Sequence, residues 1–228
     1  MKQLVTTAII LNRTDYGEAD RILTMLTPEY GKLRLLAKGV RRVKSKLAGG
    51  IELFSVSTIT FIQGRSELGT LVSTRLQKYY GHIVQDLDRT MLGYELIKQL
   101  NKITEDQAEA DYFELLQLTF AALDDAGLPL PLIQFWFQVQ LLALGGHAPN
   151  LQTDAAGEKL QAGAKYDFSF DSMGFTPHAS GRFSADHIKF LRLGFAGNPP
   201  QVLAKVQGSP GLVAAVAPMV RTMLQTHV

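Results

Sequence analysis

The hydrophobic period of this chain changes once, near residue 82, and no other feature constrains its fold as strongly. Before that point, apolar and polar residues alternate with the two-residue period of a half-buried strand. The strand-like segments are residues 4–11, rich in Val, Ile and Thr, then 20–26, 32–38, 51–62 and 68–79. Thr27-Pro28-Glu29-Tyr30-Gly31 reads as a tight turn between the second and third segments, and Gly64-Arg65-Ser66 as the turn between the last two. Five strands this short predict a small closed barrel over residues 1–81, because closure hides the sheet edges.

After residue 82 the spacing is helical. Leu92, Leu96, Leu100 and Ile103 recur at three and four. Thr104-Glu105-Asp106-Gln107 fits a capping box for a second helix with Tyr112, Leu116, Phe120 and Leu123, which stops at Gly127. Pro129 and Pro131 open a third helix, and Gly145-Gly146 ends it. Residues 147–181 are irregular, with a strand-like piece at 166–170. Ser184 caps a helix carrying Ile188, Leu191 and Phe195, and Asn198-Pro199-Pro200 breaks the chain. Ser209-Pro210 starts the last helix, which Pro218 must kink or end. The expected class is α+β: a five-stranded barrel at 1–81, then an α-helical domain at 82–228.

Charge follows the same division. Residues 1–81 hold thirteen Lys and Arg against six Asp and Glu, whereas residues 82–228 hold ten against fifteen. The formal net charge of +2 conceals this polarity. A basic first third suggests that one part meets a polyanion and the other does not. There is no cysteine, which excludes disulfides and thiolate metal sites. No signal-peptide layout and no membrane-length apolar run is present, so a soluble, cytoplasmic protein is expected. The chain has no P-loop, G-x-G-x-x-G, H-E-x-x-H or G-x-S-x-G motif, so neither an enzyme nor a cofactor is expected.

The candidate site is residues 32–46. Alternation places Leu33, Leu35 and Ala37 inward and Lys32, Arg34, Leu36 and Lys38 outward. The strand runs into a loop carrying Arg41, Arg42, Lys44 and Lys46, and Leu47-Ala48-Gly49-Gly50 returns to the fourth strand. Seven cations thus stand in fifteen residues without a carboxylate. A phosphate backbone suits such an array: cations on a rigid strand continued by a flexible basic loop, with salt-sensitive affinity from counterion release. A solvated basic edge that blocks strand pairing is the plainer alternative. Tyr16 and Tyr30, in loop or turn positions, are candidate stacking platforms or ordinary surface tyrosines, while Phe54, Phe61, Tyr79 and Tyr80 read as core.

The run Gly17-Glu18-Ala19-Asp20-Arg21-Ile22-Leu23-Thr24 resembles the N-terminal half of the RecO family. So do Thr27 with Gly31-Lys32, Ala37-Lys38-Gly39-Val40-Arg41-Arg42, Ser45, Gly49 and Leu53-Phe54. The 141–151 stretch, Leu141-Leu142-Ala143-Leu144-Gly145-Gly146-His147-Ala148-Pro149-Asn150-Leu151, also resembles a segment of that family. The resemblance implies an N-terminal OB-fold and a helical C-terminal domain. It implies a DNA repair and recombination mediator that binds single- and double-stranded DNA and anneals complementary strands. The implied partners are RecR and the single-strand-binding protein, through its C-terminal tail, and together they assist RecA loading.

Some RecO proteins hold zinc with two Cys-x-x-Cys pairs in the irregular segment. The corresponding positions here are Asp154, Gly157, Thr176 and Ala179, so no zinc is expected and packing through Phe168, Phe170 and Phe175 must replace it. His147, His178 and Asp154 offer at most a poorer site. Phe135-Trp136-Phe137 reads either as core or as a partner groove rimmed by Lys98 or Lys102 for the acidic-hydrophobic tail of the single-strand-binding protein. Three rival readings remain open from sequence: an RNA-binding OB module, a protein-interaction scaffold and a metal-dependent enzyme.

Overall fold

A computed structural model describes residues 2–64, 66–104 and 110–227. Its order is β1 (Gln3–Tyr16), β2 (Asp20–Thr27), β3 (Gly31–Ala37), β4 (Ser55–Ile62), β5 (Leu68–Tyr79), α1 (Leu87–Ile103), α2 (Ala110–Asp124), α3 (Leu130–Leu144), β6 (Lys165–Ser169), β7 (Gly174–Pro177), β8 (Phe183–Ser184), α4 (Ala185–Phe195), α5 (Pro200–Ala204) and α6 (Ser209–His227). The α+β expectation holds: five strands, then a mainly helical remainder. The chain forms two compact units, Met1–Asp125 and Ala126–Val228. The compact boundary therefore lies some forty residues beyond the change of period, because α1 and α2 group with the strands.

In the first unit the strands close in the order β1-β2-β3-β5-β4, with β1 returning to pair with β4. Only the β3–β5 pairing is parallel. Ala8, Ile10, Leu23, Met25, Leu35, Ala37, Ile59, Phe61 and Leu71 fill the interior. β4 begins at Ser55 rather than at residue 51. Phe54 has a positive φ of 56°, and the Ser55 hydroxyl donates to the Glu52 carbonyl at 2.6 Å, so residues 51–54 turn instead of pairing. Ile51 points into the barrel core from that turn.

α1 and α2 are held by aromatic contacts and by capped ends. The Phe54 ring meets Tyr94 and Phe120 edge-on, each at 5.4 Å. A Cβ on Gly93 would lie 2.5 Å from the Phe54 ring, so only glycine lets α1 approach that closely. Arg89 is buried and donates to the Leu123 and Asp125 carbonyls at the end of α2, at 2.8 and 3.0 Å. A cation there satisfies carbonyls that have no helical partner. Thr104 closes α1, its hydroxyl donating to the Leu100 carbonyl. The rest of the expected capping box, residues 105–107, lies outside the described residues, as does Arg65 of the Gly64-Arg65-Ser66 turn.

In the second unit all three residues of Phe135-Trp136-Phe137 are buried, and the Trp136 indole donates to the Asn198 carbonyl at 2.8 Å. The cluster is core. Residues 147–184 are more regular than alternation suggests: β7, β6 and β8 form a small antiparallel sheet in that order. Phe175 is fully buried and meets Tyr166, Phe168 and Phe183 edge-on at 5.2–6.3 Å, and Phe168 meets Phe170 at 5.1 Å. The expected Ser184 cap is present, its N–H donating to Nδ1 of His187. α6 runs through Pro218 without ending.

Candidate nucleic-acid interface

The site is built on β3 and the loop after it. Cross-strand register fixes which way each β3 side chain points, because paired residues share a face. Leu33, Leu35 and Ala37 pair with Met25, Leu23 and Arg21, and the two apolar partners are core. Lys32, Arg34 and Leu36 therefore face outward, as alternation predicts. Arg34 lies between Thr24 of β2 and Leu68 of β5, on the outer face of the barrel, and is exposed.

Lys32 departs from the expected array. Its ammonium donates to the carbonyls of Asn101 and Thr104 at 2.9 and 2.5 Å, at the C-terminal end of α1. Outward from the barrel at this point means toward a helix end. Lys32 thus acts as the counterpart of Arg89, a cation satisfying terminal carbonyls. The cations of the segment that remain exposed are Arg34, Lys38, Arg41, Arg42, Lys44 and Lys46.

The loop is fastened at both feet. Gly39 donates its N–H to Asp20 at 2.7 Å and adopts a φ of +63°, which glycine takes without strain. Arg41 N–H donates to the Ala19 carbonyl at 2.9 Å, and the Thr74 hydroxyl donates to the Leu47 carbonyl at 3.1 Å. Val40 and Ile51 are buried in the barrel core, and Leu47 packs against it. Between these anchors Arg42, Val43 and Lys44 stand in solvent.

Register brings in two further cations. Arg13 pairs with Leu23, Asp15 with Arg21, and Arg21 with Ala37, so all three charged residues lie on the interior side where the barrel opens. Arg21 donates to Asp15 at 2.8 Å, and Arg41 approaches the same carboxylate at 3.6 Å. Arg13 reaches the Ile51 carbonyl at 3.3 Å and Glu52 at 3.5 Å. The hydrogen bond from Arg21, with the charges of Arg41 and Arg13, holds the Asp15 carboxyl below the usual carboxylate range. Asp15 thus orients Arg41 at the root of the loop. Among the described residues, Arg34, Lys38, Arg42, Lys44 and Lys46 make no ion pair with an acid.

Tyr16 ends β1 and is exposed, with Asp20 opposite. Tyr30 is partly exposed, its ring edge-on to Phe61 at 5.5 Å. Phe54, Phe61 and Tyr80 are buried, whereas Tyr79, expected in the core, is exposed.

Residues 1–80 match the family model described as "Recombination protein O N terminal", and residues 84–228 match "Recombination protein O C terminal". This chain belongs to the RecO family. A "DNA repair protein RecO" from Dehalococcoides mccartyi (strain CBDB1) is 33% identical over 163 residues, covering 71% of this chain and 64% of that protein. Relatives of the same name from Halalkalibacterium halodurans and Listeria monocytogenes serotype 4b (strain CLIP80459) are 31% and 32% identical, covering 81% and 82% of this chain and 74% and 75% of their own lengths. The aligned region thus spans less than two thirds of the Dehalococcoides protein. The family is one of DNA repair and recombination proteins, and its five-stranded N-terminal sheet is consistent with an OB-fold.

The positions expected from the resemblance to correspond to zinc ligands, Asp154, Gly157, Thr176 and Ala179, do not form a four-donor set. Gly157 and Ala179 offer no side-chain ligand. One Asp154 carboxylate oxygen accepts the N–H groups of Ala156 and Glu158, both at 2.9 Å, so it closes a turn in the backbone. His178 faces Asp167 at 3.1 Å. Among the described residues no group of three or more His, Cys, Asp or Glu is placed to hold a metal, and no helix is long and apolar enough to cross a membrane.

A second concavity lies wholly within the second unit. Between α3 and α6, a groove of about 410 Å³ is lined by Pro131, Leu132, Phe135, Val213 and Ala217, with Arg221 also among the lining residues.

Proposed function

We propose that this chain binds single- and double-stranded DNA through Arg34, Lys38, Arg41, Arg42, Lys44 and Lys46, and anneals complementary strands. One observation carries the reading: six exposed cations run from the outer face of β3 into an anchored loop, and no acid occurs from residue 30 to residue 51. Phosphates engaged by these side chains release their counterions. A backbone so neutralised repels its complement less, which favours pairing of the two strands. No bond is made or broken, so the reading is of a mediator rather than an enzyme. Lys32 supports the site by holding the strand to α1.

As partners we propose RecR and the C-terminal tail of the single-strand-binding protein, with RecA loading as the outcome and the nucleoid as the location. The α3–α6 groove suits such a tail: an apolar trough for its hydrophobic end, and Arg221 for a carboxylate.

The test is DNA binding across a salt series, with and without the single-strand-binding protein. Replacing Arg41, Arg42, Lys44 and Lys46 together with alanine is expected to flatten the salt slope on single strands by about 0.7 unit for each phosphate no longer neutralised. A folded quadruple variant with unchanged affinity and slope overturns the assignment.

A further inference from the structure

We propose that Val43 is a base-contacting wedge, the uncharged apex of the basic loop, which inserts between adjacent bases of a nucleic-acid strand while the flanking cations hold its phosphates. The proposal rests on the DNA-binding reading above and deepens it, because neutralising phosphates acts on the backbone and does nothing to the bases.

Four branched apolar residues occur between Gly39 and Glu52, namely Val40, Val43, Leu47 and Ile51. Three of them seal the mouth of the barrel: Val40 is 4% exposed, Ile51 is 2% exposed, and Leu47 packs on the same core. Val43 is 104% exposed, so its side chain meets nothing of the protein. Single exposed apolar residues are ordinary on protein surfaces. Val43 differs in three respects. It sits at the tip of a loop whose feet are pinned by the Arg41–Ala19, Ser45–Arg42 and Thr74–Leu47 hydrogen bonds. Arg41 and Arg42 precede it and Lys44 and Lys46 follow it, so any strand these cations hold is brought against the isopropyl group. It is also β-branched, hence stiff at χ1, and loses little freedom on insertion.

The chemistry matches a strand of stacked bases. Apolar side chains that enter a base step partly unstack it, with neighbouring cations on the phosphates. Such unstacking frees base edges in a strand that must find its complement. An anionic lipid surface is the other polyanion that suits a basic, apolar-tipped loop. One valine gives little anchorage in a bilayer, and Arg34 and Lys38 extend the cations along a strand, away from the apex.

The experiment uses the full chain and a single-stranded oligonucleotide carrying 2-aminopurine flanked by adenines, whose fluorescence rises when the base unstacks. Wild type is expected to raise the signal on binding. Val43→Ser is expected to abolish that rise and weaken binding about fivefold, as removal of one small apolar group should, with an unchanged salt slope. Val43 touches no other side chain, so the substitution leaves the fold intact, which the melting temperature checks. In Val43→Trp the rise should return, and the introduced indole should be quenched by DNA; the native Trp136 is buried and gives a separable background. Wild type that binds with no fluorescence rise, or a Val43→Ser variant that matches wild type in both readouts, overturns the wedge and leaves phosphate binding standing. Wild type that fails to bind the oligonucleotide overturns both readings. Val43→Ser that loses binding to mixed phosphatidylserine–phosphatidylcholine vesicles, with DNA behaviour intact, assigns the apex to lipid and overturns the proposal.

Discussion

Two irregular stretches, the loop at 38–54 and the segment at 147–184, solve the same problem in opposite ways. Neither has a cysteine to cross-link it. The first is fastened at its ends by Val40, Leu47 and Ile51, and its middle stands in water with its cations. The second is fastened at its middle: Phe175 is wholly buried among Tyr166, Phe168 and Phe183. Backbone that must present charge is anchored at its feet. Backbone that must support itself is packed about a centre.

The sharpest way to break this contrast is Phe175→Ala. It should destabilise the second unit by about 3–5 kcal/mol, the usual cost of emptying a buried aromatic site. Denaturant unfolding reads the loss, and DNA affinity below the transition should stay at the wild-type level. No truncation in the middle of the first loop should approach that cost.

The next effect separates two lysines that alternation treats alike. Lys32→Ala should cost about 1–2 kcal/mol, because the carbonyls at the end of α1 lose their cation. Its DNA salt slope should not change. Lys38→Ala should do the reverse, with stability unaltered and the slope on single strands flatter by about 0.7 unit.

The smallest effect is a pH dependence at Asp15. Its folded pKa lies below the ordinary value of 3.8, so its contribution is present above that value and is lost as pH falls through the lowered folded value. Arg21 and Arg41 lose their shared acceptor in that range. Because Asp15 is well exposed to solvent, the step in stability should be slight. Asp15→Asn should remove it from an acid titration followed by circular dichroism.

Most of the barrel was legible because alternation reports facing directly. β2, β3 and β5 follow it to within a residue. What alternation omits is what lies opposite a face. Lys32 is outward as expected, yet outward there is the end of α1, a neighbour more than sixty residues away in sequence. Arg13 and Arg21 were hidden for a related reason: each is a lone cation on its strand, and only the register after the β1 irregularity between Ile10 and Asn12 brings them to one mouth. β1 also continues past residue 11 to Tyr16 through polar residues that carry no apolar alternation. Of the sheet at 165–184 only the strand-like piece at 166–170 was legible, because its two partners, strands of four and two residues, are too short to show a period. Its aromatic centre was legible, since Phe168, Phe170 and Phe175 had no cysteines to lean on.

The ring of strands is completed by its weakest link. β3 and β5 pair only where Arg34, Leu35 and Leu36 meet Leu68, Gly69 and Thr70, while every other ladder runs through seven residues or more. Local opening begins where the fewest bonds must break. Amide protons along this seam should therefore exchange with solvent ahead of those in the β1–β2 ladder. Arg34 stands on the seam itself, so an anion held there would also act as a clasp on the barrel, and ligand occupancy would be written into the exchange rates of a few amides.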